Sequence, residues 1–368
     1  MRILLLGEYS NVHATLAEGL KSLGHEVTVL SNGDFWKDYP RDINLVRRPG
    51  KWGGIRYMTR LYSLLPRLRG YDIVQIINPM FLELKAHRIL PVYNYLRRHN
   101  GRMVMGAFGM DYYWVSECVN RRPLRYSDFN IGDMLRTDAD ALRERADWTG
   151  TDKERLNRYI AEDCDKIIAG LYEYWVCYRP HFPAKTTYVP FPIVVPQTAE
   201  ASLSAHHPLR VFIGINRARS TYKGTDIMLR AAERVLAAHP GDMQLLKAES
   251  VPFAQYQTMM DGSDVILDQL YSYTPSMNSL LAMSKGIVCV GGGEEEHYQL
   301  LNERELRPIV NVEPTEESVV KALEWLTAHP DDVARLKRES IAYIHRHHDH
   351  LKVARQWLTA VEETPPHQ

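Results

Sequence analysis

SDVILDQLYSYTPSMNSLLAMSKGIVCVGGGEEEHY, residues 263–298, is the stretch that decides the fold. Its first apolar run, Asp264–Leu267, has the length of a buried parallel strand. A helix is predicted to follow, because Pro275 stands at its start and Gly286 just past its end. A second apolar run, Ile287–Val290, leads into the polar loop GGGE. The pattern predicts a strand–helix–strand unit with loops at the strand ends, where open parallel sheets bind ligands.

The predicted helix carries a family resemblance. Residues 281–286 read LAMSKG and resemble the Glu-Ala-Met-x-x-Gly turn of GT-B-fold glycosyltransferases, in particular the retaining enzymes of glycosyltransferase family 4 (group 1). In that family the segment binds a nucleotide-sugar donor. Leu281 replaces the glutamate of the turn, and Tyr273 replaces the acid eight residues earlier. The resemblance implies the fold, but both carboxylates of the family's donor site are missing.

Length and composition are those of a soluble globular protein of two ordinary domains, with 368 residues, 45 % of them apolar and 24 % charged. No apolar run is long enough to span a bilayer, and residues 1–7 predict a first strand rather than a signal sequence. The four cysteines lack CxxC spacing, which favours reduced thiols in a cytoplasmic protein. Residues 1–125 hold 19 Lys and Arg against 10 Asp and Glu, which suits an anionic membrane surface or an anionic acceptor.

The first domain opens with a predicted βαβ unit, made of a strand over residues 2–6, a helix over about 12–23 and a strand over 25–30. Its first loop lacks the G-x-G-x-x-G fingerprint, which argues against NAD as a ligand. The junction Leu23–Val27 is similar to the family's first helix-to-strand turn. The resemblance implies that His13 is catalytic and faces the interdomain cleft; a partly exposed histidine at a helix N-terminus is the alternative.

A second candidate catalytic residue follows the strand predicted over residues 102–108. The next turn is similar to the family's His-Gly-x-Asp turn, with Phe108 in place of the histidine. The resemblance implies that Asp111 binds the acceptor hydroxyl or acts as a base, and a helix N-cap is the alternative. Residues 112–150 are longer than a normal connection and rich in aromatic residues, which suits a sugar-binding loop or a plain structural excursion.

Two further motifs have competing interpretations. Residues 47–69 combine arginines with apolar residues, which predicts either a basic amphipathic helix on a membrane surface or a domain helix with solvated arginines. Asp138-Ala139-Asp140 resembles a metal motif of the other glycosyltransferase fold. We reject a metal site there, because residues i and i+2 of a helix point to different sides.

The second domain begins with a predicted strand over residues 209–213 and a loop over 214–226. The loop resembles the family's diphosphate-binding segment, in which fixed cations stabilise the charge on the leaving nucleotide. The small polar residues at the start of the helix after Pro275 suit a phosphate or a ribose, because helix N-termini present free N–H groups. The candidate diphosphate-binding residues are Arg217, Lys223, Gly224 and Ser276, and the candidate nucleoside- and sugar-binding residues are Asn216, Asn278, Ser279, Glu294 and Glu295.

The strand and helix patterns predict an α/β protein, and the resemblance implies that its two Rossmann-like domains face each other across a cleft, as in the GT-B fold. The resemblance implies a first domain over residues 1–197 that binds the acceptor, a second over 198–348 that binds the nucleotide sugar, and a helix over 349–368 that returns to the first domain. The resemblance implies a retaining, metal-independent transferase without a cofactor, acting on a glycan or lipid-linked acceptor in the cytoplasm or at the inner membrane face, and no nucleic-acid partner. The alternatives are a nucleotide-sugar epimerase and a non-catalytic scaffold of a polysaccharide assembly complex.

Overall fold

The computed structural model describes residues 1–196, 203–249 and 251–363. They divide into two compact units. Unit 1 comprises Met1–Arg121, Glu144–Pro192 and the chain from His350, and unit 2 comprises Arg122–Arg143 and Ile193–Asp349. The predicted domain boundary at residues 197 and 198 lies outside the described residues. Residues 122–143, which the sequence prediction assigned to the first domain, pack with unit 2.

The elements are as follows. The strands are β1 (Arg2–Leu6), β2 (Glu26–Ser31), β3 (Ile43–Asn44), β4 (Ile73–Ile76), β5 (Arg102–Ala107), β6 (Asn130–Ile131), β7 (Met134–Leu135), β8 (Lys166–Ala169), β9 (Thr186–Tyr188), β10 (Leu209–Ile215), β11 (Met243–Glu249), β12 (Val265–Leu267), β13 (Val288–Gly291) and β14 (Val310–Asn311). The helices are α1 (Val12–Ser22), α2 (Gly50–Leu64), α3 (Ala86–His99), α4 (Tyr112–Asn120), α5 (Ala139–Trp148), α6 (Asp152–Asp163), α7 (Tyr172–Tyr178), α8 (Ser220–Lys223), α9 (Thr225–Ala238), α10 (Phe253–Met260), α11 (Met277–Ser284), α12 (Glu295–Leu300), α13 (Glu316–Ala328), α14 (Pro330–His347) and α15 (His350–Glu362).

The sheet of unit 1 has seven parallel strands in the order β3-β2-β1-β4-β5-β8-β9. β1 lies inside this sheet, where Leu4 pairs with Thr28 of β2 and with Val74 of β4. Its apolar residues are buried on both faces, which is why the chain begins with an unbroken apolar run. Because the chain leaves β1 for β2 on one side and returns to β4 on the other, a topological switch point lies between β1 and β4.

The last helix belongs to unit 1. α15 packs against α1 at Gly19, where a Cβ would lie 2.4 Å from the carbonyl oxygen of His350, so no larger residue fits this approach. The apolar face of α15, which includes Val353, Ala354 and Trp357, is buried. This confirms the prediction that the C-terminal helix returns to the first domain.

The sheet of unit 2 has five parallel strands in the order β11-β10-β12-β13-β14. The stretch over residues 263–298 forms β12, α11 and β13, as predicted, with α12 after its glycine loop. β10 continues to β11 on one side and to β12 on the other, so the switch point of this sheet lies between β10 and β12. The core combines strand residues with one face each of α9 and α13, and includes Val211, Ile213, Val265, Met228, Val235 and Leu323.

The predicted excursion over residues 112–150 is mostly ordered secondary structure. It contains α4, the antiparallel hairpin of β6 and β7, and α5. Asp138 pairs with Arg136 and Asp140 pairs with Arg143, so the two acids are directed to different partners. Among the described residues, no group of three or more His, Cys, Asp and Glu side chains is placed to hold a metal ion.

The predicted basic helix over residues 47–69 is α2, whose residues Tyr57 and Leu61 are buried in unit 1. The buried face of α2 therefore supports its interpretation as a domain helix. Across the described part of the chain, no helix has both the length and the apolar character needed to cross a membrane. All four cysteines are buried and unpaired.

Candidate functional site

Three loops meet at the carboxyl edge of the unit 2 sheet. They follow β10 (residues 216–224), β12 (268–276) and β13 (292–294), and two backbone hydrogen bonds join them. The amide of Leu270 donates to the carbonyl oxygen of Lys223 at 3.0 Å, and the amide of Glu294 donates to that of Tyr273 at 3.1 Å. These loops flank the switch point between β10 and β12, the place where doubly wound sheets bind ligands.

Gly224 fixes the contact between the first two loops. It has φ +73° and lies between α8 and α9. A Cβ at this position would lie 2.6 Å from Cβ of Leu270, so only glycine allows both the left-handed turn and the close approach. The backbone conformation and the contact with Leu270 therefore require a glycine at the second position of the predicted Lys-Gly pair.

The predicted cations of the first loop lie at different depths. Arg217 is exposed and forms an ion pair with Glu249, which ends the neighbouring strand β11. Lys223 is half-buried, and Asn216 is exposed beside them. The loop thus carries cations at the sheet edge, but Arg217 already has a carboxylate partner.

The polar residues at the start of α11 surround a carboxylate that the sequence prediction missed. Ser276 Oγ lies 3.4 Å from Oδ2 of Asp268, Asn278 Nδ2 lies 3.3 Å from its Oδ1, and Ser279 Oγ donates to it as well. Asp268 directly follows β12, so its negative charge lies near the positive end of the α11 dipole. The structure brings these three predicted residues together, but it places a protein carboxylate where a phosphate was expected.

The third loop is bound by residues of the hairpin segment, the name we give to residues 122–143. Arg125 donates to both Glu294 and Glu296, and the Tyr126 hydroxyl donates to Glu294. The amide of Arg125 also donates to the hydroxyl of Tyr273 at 2.7 Å. Tyr273, where the resemblance led us to expect an acid, and Glu294, a predicted sugar ligand, are therefore parts of one network. Glu295 lies outside this network and pairs with Arg307.

Arg136 attaches the hairpin segment to the first two loops. Its guanidinium donates to the carbonyl oxygens of Thr221 at 2.9 Å and Tyr222 at 3.2 Å. It also lies 3.8 Å from the ring centroid of Tyr271, a cation–π distance. Arg136 is only 8 % exposed. A buried cation beside the predicted diphosphate loop is therefore fixed in place by backbone oxygens. Residue spacing could not have revealed it.

His13 lies in the interior of unit 1. Its Nδ1 is 2.8 Å from the carbonyl oxygen of Gly7, and its Nε2 is 3.0 Å from the amide nitrogen of Gln75, whose Oε1 accepts from Trp357. Burial lowers the pKa of His13 to about 3, so the ring is neutral. The alternative of a partly exposed histidine is wrong, because His13 is 0 % exposed and both ring nitrogens have partners.

Asp111 is the N-cap of α4. Its carboxylate accepts from the amide of Trp114 at 2.9 Å and from the hydroxyl of Tyr178 at 2.8 Å. Burial raises the pKa of Asp111 to about 7. The N-cap interpretation is confirmed, and the catalytic role predicted for this residue remains a prediction.

A pocket of about 770 Å³ opens at the switch point of the unit 1 sheet. Gly7 and Ile77, which follow β1 and β4, contribute to its lining, together with apolar residues of the segment 80–86. Glu8 also lines the pocket; its carboxylate accepts from the amides of His13 and Ala14, and burial raises its pKa to about 8. Besides Glu8, the acidic and basic side chains at the pocket are Arg47, Glu83, Lys85, His87, Asp147, Asp152 and Lys153.

No family model matches the sequence, and no curated protein matches it. Solved structures match it over nearly its whole length. HepE from Anabaena, solved with UDP-glucose, is 11 % identical, covers 98 % of this chain and 99 % of its own, and has a TM-score of 0.62. WaaG, a glycosyltransferase involved in lipopolysaccharide biosynthesis, is 10 % identical, covers 99 % of this chain and 100 % of its own, and has a TM-score of 0.55. The chain has the GT-B fold. A candidate UDP-N-acetylglucosamine 2-epimerase from Listeria monocytogenes is also similar. It is 11 % identical, covers 99 % of this chain and 97 % of its own, and has a TM-score of 0.56.

The GT-B resemblance predicted from the sequence is thus confirmed at the level of the fold. At such low identity the comparison carries no residue assignments, because ligands contact individual side chains and the same fold supports several reactions. The chain offers two separate candidate sites: the three loops with the hairpin segment in unit 2, and the pocket in unit 1.

Proposed function

We propose that this protein is a glycosyltransferase that moves a sugar from a nucleotide-diphosphate sugar to a glycan or lipid-linked acceptor. The proposal includes a retaining, metal-independent reaction in surface polysaccharide or glycoconjugate synthesis. Its main support is the meeting of three loops at the switch point of unit 2, within a GT-B fold. HepE, a protein of similar structure, was solved with UDP-glucose.

The donor diphosphate is proposed to bind at the loop over residues 216–224. Departure of the nucleotide leaves negative charge on the diphosphate oxygens, and cations that are already in position stabilise it without reorganisation. Lys223 and Arg217 supply charge at the sheet edge, and Gly224 lets the backbone turn beside them. Arg136 adds a buried cation behind the same loop.

The acceptor is proposed to bind in the unit 1 pocket. The pocket combines apolar walls with both signs of charge, which suits sugar rings that have apolar faces and polar rims. His13 and Asp111 are both completely buried. His13 enters this proposal as a positioning residue, and the catalytic role predicted for Asp111 stays a prediction. His13 acts through Gly7, whose carbonyl oxygen it contacts and which lines the pocket.

The test combines donor binding with turnover. Nucleotide diphosphates and their sugars are screened by calorimetry, and transfer and donor hydrolysis are then measured with the best donor. Lys223→Ala and Arg217→Ala should each lower kcat on the order of 10²–10³-fold, the usual effect of removing one charge-stabilising donor. Arg234→Ala is the matched control, because Arg234 is an exposed, ion-paired arginine on α9 of the same unit. Rates within a few-fold of wild type for both loop variants would disprove the assignment of the diphosphate site.

A non-catalytic nucleotide-sugar-binding protein is the second candidate. It is favoured because side chains of the protein already bind the groups that a donor would contact. Arg125 and Tyr126 bind the carboxylate of Glu294, and Asp268 binds the polar side chains at the start of α11. Binding of a nucleotide sugar without transfer or hydrolysis would establish this candidate. Conversion of the free nucleotide sugar to its 2-epimer would instead indicate an epimerase, to which one similar structure corresponds.

A further inference from the structure

Helix α2 has two apolar faces, and only one of them contacts the protein. Tyr57 and Leu61 are buried in unit 1. On the opposite side, Trp52, Ile55 and Tyr62 are 83 %, 56 % and 49 % exposed. The spacing of these three residues places them along one stripe of a helix. Large apolar side chains that are exposed together, rather than singly, indicate a contact surface.

The exposed stripe is bordered by cations. Lys51, Arg56 and Arg60 are exposed on α2, and in the described part of the chain none of them has an ion-pair partner. The sequence from Ile43 to Tyr71 contains seven Lys and Arg and not one Asp or Glu. The surface therefore combines bulky apolar groups with uncompensated positive charge.

A second pair of exposed aromatic residues lies in the same unit. Phe35 and Trp36 are 65 % and 61 % exposed. Phe35 lines the 770 Å³ pocket, and so does Tyr57 from the buried face of α2. The pocket is therefore bordered both by α2 and by the segment that carries these aromatic residues.

We propose that α2 docks unit 1 on an anionic lipid bilayer, with Trp52, Ile55 and Tyr62 in the interfacial region and Lys51, Arg56 and Arg60 against the headgroups. Aromatic side chains with a polar tip are suited to that interface, and long cationic side chains beside them are attracted by anionic headgroups. The proposal does not depend on the transferase activity. If the protein both docks on the bilayer and transfers a sugar, the pocket lies beside the docked helix and is suited to an acceptor carried on a lipid.

Charge favours a bilayer over other occupants. In a twofold interface between copies of this chain, the same patch would meet itself, and uncompensated cations would face one another at a cost. Nucleic acid would satisfy the cations, but the aliphatic side chain of Ile55 at the centre of the stripe cannot stack on a base. An anionic bilayer satisfies both the cations and the apolar stripe.

The experiment measures co-sedimentation of the full-length protein with phosphatidylcholine vesicles that contain 30 % phosphatidylglycerol, at about 50 mM and about 500 mM NaCl. Each cation near an anionic surface contributes about fivefold to partitioning, so Lys51→Gln, Arg56→Gln and Arg60→Gln together should lower it about 100-fold. Trp52→Ser with Ile55→Ser should lower it on the order of tenfold. Both sets of side chains are exposed, so the fold should be kept.

Two matched controls are placed on unit 2. Arg304, Lys321 and Arg338 are exposed cations whose triple glutamine variant changes the net charge equally. Trp325→Ser removes another partly exposed tryptophan. Neither control should reduce partitioning more than twofold. Absence of salt-sensitive binding would overturn the proposal, and so would equal losses in the α2 and control variants. A dimer in analytical ultracentrifugation that Trp52→Ser dissociates would also overturn it, by showing a self-interface.

Discussion

Replacing Gly224 with alanine should destabilise unit 2 and open the junction of its first two loops. The left-handed conformation at φ +73° costs an L-residue about 1–2 kcal/mol. The new Cβ would also lie 2.6 Å from Cβ of Leu270 and 3.0 Å from Cε2 of Tyr271. Since a Cβ moves only with its backbone, Leu270 cannot rotate away, and such overpacking costs about 1–3 kcal/mol. We expect a total loss of about 2–5 kcal/mol.

Gly262→Ala separates the two causes of this loss. Gly262 has φ +81°, but the nearest atom to an added Cβ is Nη1 of Arg210 at 4.0 Å. This control in the same unit therefore carries the backbone strain without the clash, and should cost only about 1–2 kcal/mol. The difference between the two variants measures the clash with Leu270.

The assay is urea unfolding followed by circular dichroism, with the transition of unit 2 fitted separately if two are resolved. Thermal unfolding gives a second reading, because 1 kcal/mol shifts the melting temperature of a domain of this size by about 2–4 °C. Donor binding is then measured on folded protein. Gly224→Ala should bind the nucleotide diphosphate at least tenfold more weakly and Gly262→Ala normally. Equal unfolding free energies for the two variants would refute the packing argument.

Three further results are expected. Glu294→Gln should weaken donor binding or turnover at least tenfold while Leu281→Glu should not improve either, as measured by calorimetry and initial rates; an unaffected Glu294→Gln variant would leave no donor role for this loop. Burial raises the pKa of Asp111 to about 7, so its proton is kept in the folded state, and the free energy of unfolding should fall between about pH 4 and pH 7 more steeply in wild type than in Asp111→Asn; parallel profiles in urea titrations would contradict this. Burial opposes ionisation of Glu303, but hydrogen bonds, including one from His347, lower its pKa to about 2. The free energy of unfolding should therefore fall from pH 4.5 towards pH 2 in wild type, and fall less in Glu303→Gln. Equal losses of stability at acid pH in the two proteins would contradict this.

The loops of the proposed donor site could be located from sequence because their signals are local. An apolar run followed by Pro275 and closed by Gly286 indicates a strand and then a helix, and the order of such runs predicts which strand ends share an edge. The predicted residues Ser276, Asn278 and Ser279 do lie together at the start of α11.

Their partner could not be located in this way. Asp268 lies 8 to 11 residues before the side chains that contact it, across the turn between β12 and α11, so no helical or strand spacing relates them. His13 shows the same limit: its position at the start of α1 was predicted, but its burial depends on Gln75 and Trp357 from distant elements.

By itself the sequence determined two α/β domains with parallel sheets and the glycine turns at their edges, because the periodicity of each element is set by neighbouring residues. The return of the last helix was implied only by the family resemblance. Only the tertiary structure decided that residues 122–143 pack with unit 2 and that Arg125 binds Glu294, 169 residues away. Such a contact depends on the packing of all the elements between them, and no local pattern encodes it. The sequence therefore indicates which loops share the edge of the unit 2 sheet, and the tertiary structure decides which side chains meet there.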